Sequence, residues 1–131
     1  MSIPNLTSVG AGGMMLTFQG CTGLKYLDLS SLSSIQQQGA DEICSGCTAL
    51  QFVDFRNATA VPVNSGSSSS RAKQVWFPST NDTFKVIVPD ALYSSWISNY
   101  WWETMASQIV KASEYPVIMT QYTGYDNMDN N

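Results

Sequence analysis

Three cysteines, two aspartates and a few aromatic residues are the side chains whose types and spacing could do chemistry in this sequence. Cys44 and Cys47 stand in CSGC, the spacing of a dithiol redox pair or of half a zinc site. A structural zinc site takes four ligands. Only Cys21 remains to add, and the chain has no histidine. The same absence removes Ser-His-Asp and Cys-His nucleophile machinery. A redox CxxC expects a thioredoxin-like βαβ setting, which the flanking residues do not provide. Asp28 and Asp54 sit in matching contexts, YLDL and FVDF. Paired carboxylates serve general acid–base work or hold calcium; the plain alternative is solvation of an open face. No glycine loop or further acid stands beside them to complete a site. No catalytic residue, metal site or cofactor is therefore expected, and the chain reads as a non-enzyme.

The elements that position these residues come from a repeat. FQGCTGLKYLDLSSLSSI (18–35) returns 26 residues later as CSGCTALQFVDFRNATAV (44–61). Gly20 meets Gly46, Cys21 meets Cys47, Leu24 meets Leu50, Leu27 meets Val53 and Leu29 meets Phe55. An earlier partial copy places Val9 under Ile35. A fixed period of this size with L-x-x-L-x-L (Leu24, Leu27, Leu29) is the signature of a leucine-rich solenoid. One such turn cannot bury its own apolar face, so turns must stack. Strand spacing then lays Leu27 over Val53 in an inner ladder, with the alternate residues pointing outward. The fold expected is an α/β repeat, a short solenoid of parallel strands closed by a C-terminal helical cap.

On that reading the outer strand face carries Tyr26, Asp28, Phe52, Asp54 and Arg56, with Trp76 next, and this is the expected binding face. Two stacked aromatics there could hold a sugar ring or a partner side chain; simple cross-strand pairing is the plain alternative. Cys21 and Cys47 occupy equivalent positions and Cys44 fills the place of Phe18. They are expected as buried free thiols, with a Cys21–Cys47 disulfide between adjacent turns as the other outcome.

Composition narrows the class. Charged residues make up 12% of the chain against about 25% in typical soluble domains, so hydroxyls and amides must keep the surface wet. The net charge is −4 and the six Lys and Arg are scattered, leaving no basic stripe for phosphates. No nucleic-acid partner is expected. No apolar run is long enough to span a bilayer. The N-terminus, MSIPNLTSVG, lacks the basic and apolar regions of a signal peptide. The chain is then a piece of a longer exported protein or reaches the exterior another way, as on a phage particle. Asn5, Asn57 and Asn81 head formal glycosylation triplets.

Residues 1–115 are expected as one domain: repeats over 1–63, a flexible serine-rich loop over 64–73, terminal strands and a helical cap over 74–115. Residues 116–131 form a polar tail in which VIM (117–119) could add a strand. KQVWFP and FKVIVP each read as short strands, one of them open to being a loop or hairpin arm. SSIQQQGADEI suggests a helical turn with Ala40 and Ile43 inward. Asp90 is placed as a helix N-cap. Leu92, Trp96 and Tyr100, then Trp101, Met105 and Ile109, form apolar helical stripes that would seal the open end of the stack.

FQGCTGL, its weaker copy CSGCTAL, and strands ending in apolar–Pro pairs (Ile3-Pro4, Phe77-Pro78, Val88-Pro89) resemble the BspA-like leucine-rich repeats. VPDALYSSWISNYWWETMASQIVKASEY (88–115) is similar to that family's C-terminal cap. The resemblance covers roughly residues 3–115 and departs from ordinary leucine-rich repeats in lacking the Asn or Cys ladder position after the strand. It implies a bacterial surface protein or a structural protein of a gut bacteriophage. Such a module would be a non-catalytic attachment part, a fibre tip or decoration, that recognises a host protein or glycan. The alternative is a purely structural adaptor bound to other virion or surface subunits, with a homo-oligomer among the expected assemblies.

Overall fold

The structure is a computed structural model and describes residues 8–9, 18–29, 34–35, 43–63, 71–78 and 80–115. The expectations for Ile3-Pro4, for Ala40, for the serine run 64–70 and for the 116–131 tail lie outside these residues. In chain order the strands are β1 (Ser8–Val9), β2 (Tyr26–Asp28), β3 (Ser34–Ile35) and β4 (Phe52–Asp54). A short helix α1 (Ala72–Val75) and strand β5 (Lys85–Val88) follow. A 3-10 turn (Asp90–Leu92) runs into helix α2 (Tyr93–Ser98). A second 3-10 segment (Glu103–Gln108), strand β6 (Ile109–Lys111) and a last 3-10 turn (Ala112–Glu114) complete the order.

The result is an α/β fold built on a four-stranded parallel sheet in the order β2-β4-β5-β6, with β1 and β3 paired separately, also in parallel. Leu27 pairs with Val53 and Val9 with Ile35, as the repeat required. The next pairs are Val53 with Val86 and Val86 with Ile109. Paired residues are 26 apart in β1–β3 and β2–β4, 33 apart in β4–β5 and 23 apart in β5–β6, so no constant period runs through the four-stranded sheet.

Glycine explains the Gly-Cys motif. Gly20 and Gly46 adopt φ of 72° and 76°, and each is the third residue of a turn. These turns are closed by Cys21 N–H to Phe18 O (3.1 Å) and Cys47 N–H to Cys44 O (3.1 Å). Positive φ at the third residue is the mark of a type II turn, which glycine adopts without steric cost. The two turns dock, Gly20 N–H donating to Ser45 O at 2.7 Å. The second then docks on the chain after α1, with Cys44 N–H to Trp76 O (3.1 Å) and Gly46 N–H to Pro78 O (3.0 Å).

One face of the sheet presents Leu27, Leu29, Val53, Phe55, Val86, Val88 and Ile109 to the main core. Trp76, Trp96, Trp101 and Trp102 close it, all buried. Trp102 is the hub, with ring centroids 5.4 Å from both Trp76 and Trp96 and 6.1 Å from Phe55. Its indole N–H donates to Pro62 O at 2.6 Å. The indole N–H groups of Trp76, Trp96 and Trp101 are buried without an acceptor among the described residues.

Several local expectations are corrected. Helix α1 begins at Ala72 and takes in the KQV of KQVWFP, so that segment opens as helix and not as strand. Trp76 and Phe77, which follow the helix, are both buried. FKVIVP does form a strand, β5. Asp90 is the first residue of the 3-10 turn rather than its cap, Pro89 holding that place; the Asp90 carboxylate accepts the Ser113 N–H instead. The long helical stripe breaks at Asn99, which turns extended and accepts the Trp101 N–H on its own side chain. Trp96 is buried, Tyr100 is exposed, and Ile109 belongs to β6.

Candidate functional site

The sheet's second face carries the residues singled out for binding. Parallel register aligns Tyr26 with Phe52 and Lys85, and Asp28 with Asp54 and Ile87. The expectation that this face is open is overturned: Tyr26 is 0% exposed, Asp54 1% and Asp28 6%, with Phe52 and Arg56 half-buried. Trp76 is not beside them at all; it lies in the aromatic core behind the sheet.

The cause of the closure is partly visible in the chain that follows β6. Tyr26, Ile87, Phe52, Val110, Ala112 and Tyr115 form a second, smaller apolar cluster on this face. The Tyr115 ring lies over Phe52 with centroids 5.6 Å apart. Arg56 Nη2 donates to Tyr115 O at 3.0 Å and so straps the last 3-10 turn across the sheet.

Beneath the strap is a buried carboxylate. Asp54 accepts the Tyr26 hydroxyl at 2.6 Å, the Arg56 backbone N–H at 2.9 Å and Arg56 Nε at 2.8 Å. Tyr26 pairs with Phe52, so its reach to Asp54 is the diagonal one that long side chains make across a parallel pair. A buried carboxylate is tolerable only when paired and hydrogen-bonded, and this one is both. Burial first, and then donation to Asp54, push the Tyr26 hydroxyl well above the ordinary tyrosine range. The phenol keeps its proton on the bond to Asp54, whose two oxygens also take the Arg56 donors. The arrangement ties β2 to β4 and to Arg56 through one buried carboxylate.

The three thiols are unbonded; Cys44 and Cys47 are buried, whereas Cys21, expected inside, is exposed. Cys47 Sγ donates to Phe18 O at 3.0 Å, across to the preceding turn. Among the described residues no group of three or more His, Cys, Asp or Glu is arranged to hold a metal ion. Also among them, no helix is long and apolar enough to cross a membrane.

Sequence reasoning missed two residues that build these surfaces. Asn81 donates to Leu50 O (2.7 Å) and Thr48 O (3.0 Å) and accepts from the N–H groups of Thr83 and Phe84. Its side chain thus ties β5 to the end of the CSGCTAL turn. The N-D-T context was legible as an Asx turn, and it also explains why that glycosylation triplet sits in a hydrogen-bonded loop. Tyr115 had no local signal, since its contacts are far away in sequence. Comparison of the chain with protein-family models, with curated proteins and with solved structures finds no match in any of the three.

Proposed function

We propose that the chain is a short leucine-rich-repeat-type module sealed by an aromatic C-terminal cap, serving as a non-catalytic attachment or assembly part outside a cell or on a virus particle. The observation that carries this reading is the docking of two equal glycine turns, 18–21 on 44–47, ahead of strands paired 26 residues apart. That geometry is what a stack of sequence repeats requires. A host protein or glycan is the partner class for attachment; sibling subunits are the partner class for assembly. The hydrogen bonds that tie Asp54 to Tyr26 and Arg56 in a closed face support a role without turnover.

Burial of Tyr26, Asp28 and Asp54 bears on the choice between the two. The face covered by Tyr115 is closed to a ligand, and the outer turns, where Thr22, Thr48 and Gln51 are exposed, are the surface we assign to attachment. Contacts of that kind are individually weak and gain strength through copy number. Light scattering after size exclusion of the full chain tests the assignment. A trimer or larger species is expected for assembly, and a monomer that binds glycan arrays or host cells for attachment. Turnover lost on Asp28→Ala would overturn both.

A further inference from the structure

We propose that Cys44 and Cys47 are a redox-sensitive pair that closes to a disulfide inside its own turn when the chain meets a small disulfide oxidant such as oxidised glutathione. The geometry is that of the type II turn. Residues first and fourth in a β-turn have Cα atoms within about 7 Å, which overlaps the window of about 4.4–6.8 Å in which a disulfide bridges without moving the backbone. Cys44 and Cys47 are those two residues, held by the Cys47 N–H to Cys44 O bond and by Gly46 at φ 76°. Both thiols are free and buried on the same turn. The pair lies directly under Ser45 and Gly46, which are half-exposed, so opening of one turn admits an oxidant.

The two thiols are unequal. Donation from Cys44, followed by the Cys21 backbone N–H, outweighs burial and holds the Cys47 thiol down to about 7. The Cys44 thiol, which does the donating and is itself buried, is raised well above its ordinary value. Cys47 is thus the attacking sulfur and Cys44 the resolving one. Cys47 thiolate attacks one sulfur of oxidised glutathione, forming a mixed disulfide and expelling one glutathione thiolate. The Cys44 thiol gives its proton to that thiolate and attacks the Cys47 sulfur, expelling the second glutathione thiolate. Two protein thiols are oxidised and one glutathione disulfide is reduced to two glutathiones. Cys47 Sγ gives up its hydrogen bond to Phe18 O when it ionises to attack, and the disulfide cannot restore it, so the redox state of the second turn is communicated to the first.

Trypsin reads the result, because cleavage after Lys25 and Arg56 leaves Cys21 on one peptide and both other cysteines on the next. The folded full chain is incubated with oxidised glutathione, free thiols are alkylated, and the digest is weighed. The expected product is peptide 26–56 lighter by two hydrogens, with Cys21 alkylated. Cys21→Ser, an exposed position, forms the same product at an unchanged rate. Cys44→Ala instead accumulates glutathione on Cys47 and slows its reaction at neutral pH by about tenfold, as expected when the thiol returns toward its ordinary range. A cross-linked pair of peptides joining Cys21 to Cys47, or alkylation of all three thiols after oxidant treatment, overturns the proposal.

Discussion

The two faces of the four-stranded sheet solve the same burial problem by opposite means. The front carries no charged side chain in its core cluster and is closed by four tryptophans whose rings stack at tilted and edge-on angles around Trp102. The back buries a carboxylate, and therefore has to bury its partners too: Tyr26 and Arg56 converge on Asp54, and Arg56 passes the constraint on to Tyr115. Apolar packing is non-directional and forgiving of exchange among similar shapes. A buried charge is directional, and each partner is needed for the others to be tolerable. The front should accordingly fail by volume and the back by chemistry.

The largest effect is expected on the front. Trp102→Ala removes the hub of the aromatic cluster and should cost about 3–5 kcal/mol in denaturant unfolding, enough to leave a domain of ordinary stability barely folded. The back comes next. Asp54→Asn keeps the shape and removes the charge that faces Arg56, with an expected loss of about 3 kcal/mol. Replacing the whole cluster at once, Tyr26→Phe with Asp54→Leu and Arg56→Met, should recover most of that loss. A triple variant as unstable as Asp54→Asn would break the contrast between the faces.

Tyr26→Phe removes one donor to a carboxylate and should cost about 2 kcal/mol at neutral pH. Its pH dependence has a definite sign. The folded hydroxyl is held above its unfolded value, so its contribution is complete below the ordinary tyrosine range of about 10 and is lost as pH rises beyond it. The stability gap between wild type and Tyr26→Phe should therefore be flat through neutral pH and narrow above about 10. A gap that widens there would contradict the Tyr26–Asp54 bond. The smallest contrast lies within the front. Trp102→Phe leaves Pro62 O without its donor, whereas Trp76→Phe loses no hydrogen bond seen among the described residues. Thermal unfolding should place Trp102→Phe about 1 kcal/mol below Trp76→Phe.

Much of the frame could be read along the chain because it rests on local chemistry. Aliphatic residues at Leu24, Leu27 and Leu29 and the match of Leu27 to Val53 follow from strand alternation, whereas the turns at Gly20 and Gly46 were visible only as an alignment of glycines. They hold in the structure. Helix length was misread where one residue overrode a pattern. Asn99 hydrogen-bonds its own local backbone and so ends α2, a choice that periodicity alone does not register.

By itself, then, the sequence determined the parallel α/β frame, the pairing of Leu27 with Val53 and the burial of the tryptophans. Tertiary structure decided that the face bearing Tyr26, Asp28 and Asp54 is closed. Alternation says only that these residues share a side of the sheet. Whether that side meets water depends on where distant chain returns, and here Tyr115 comes back over Phe52 under the strap of Arg56.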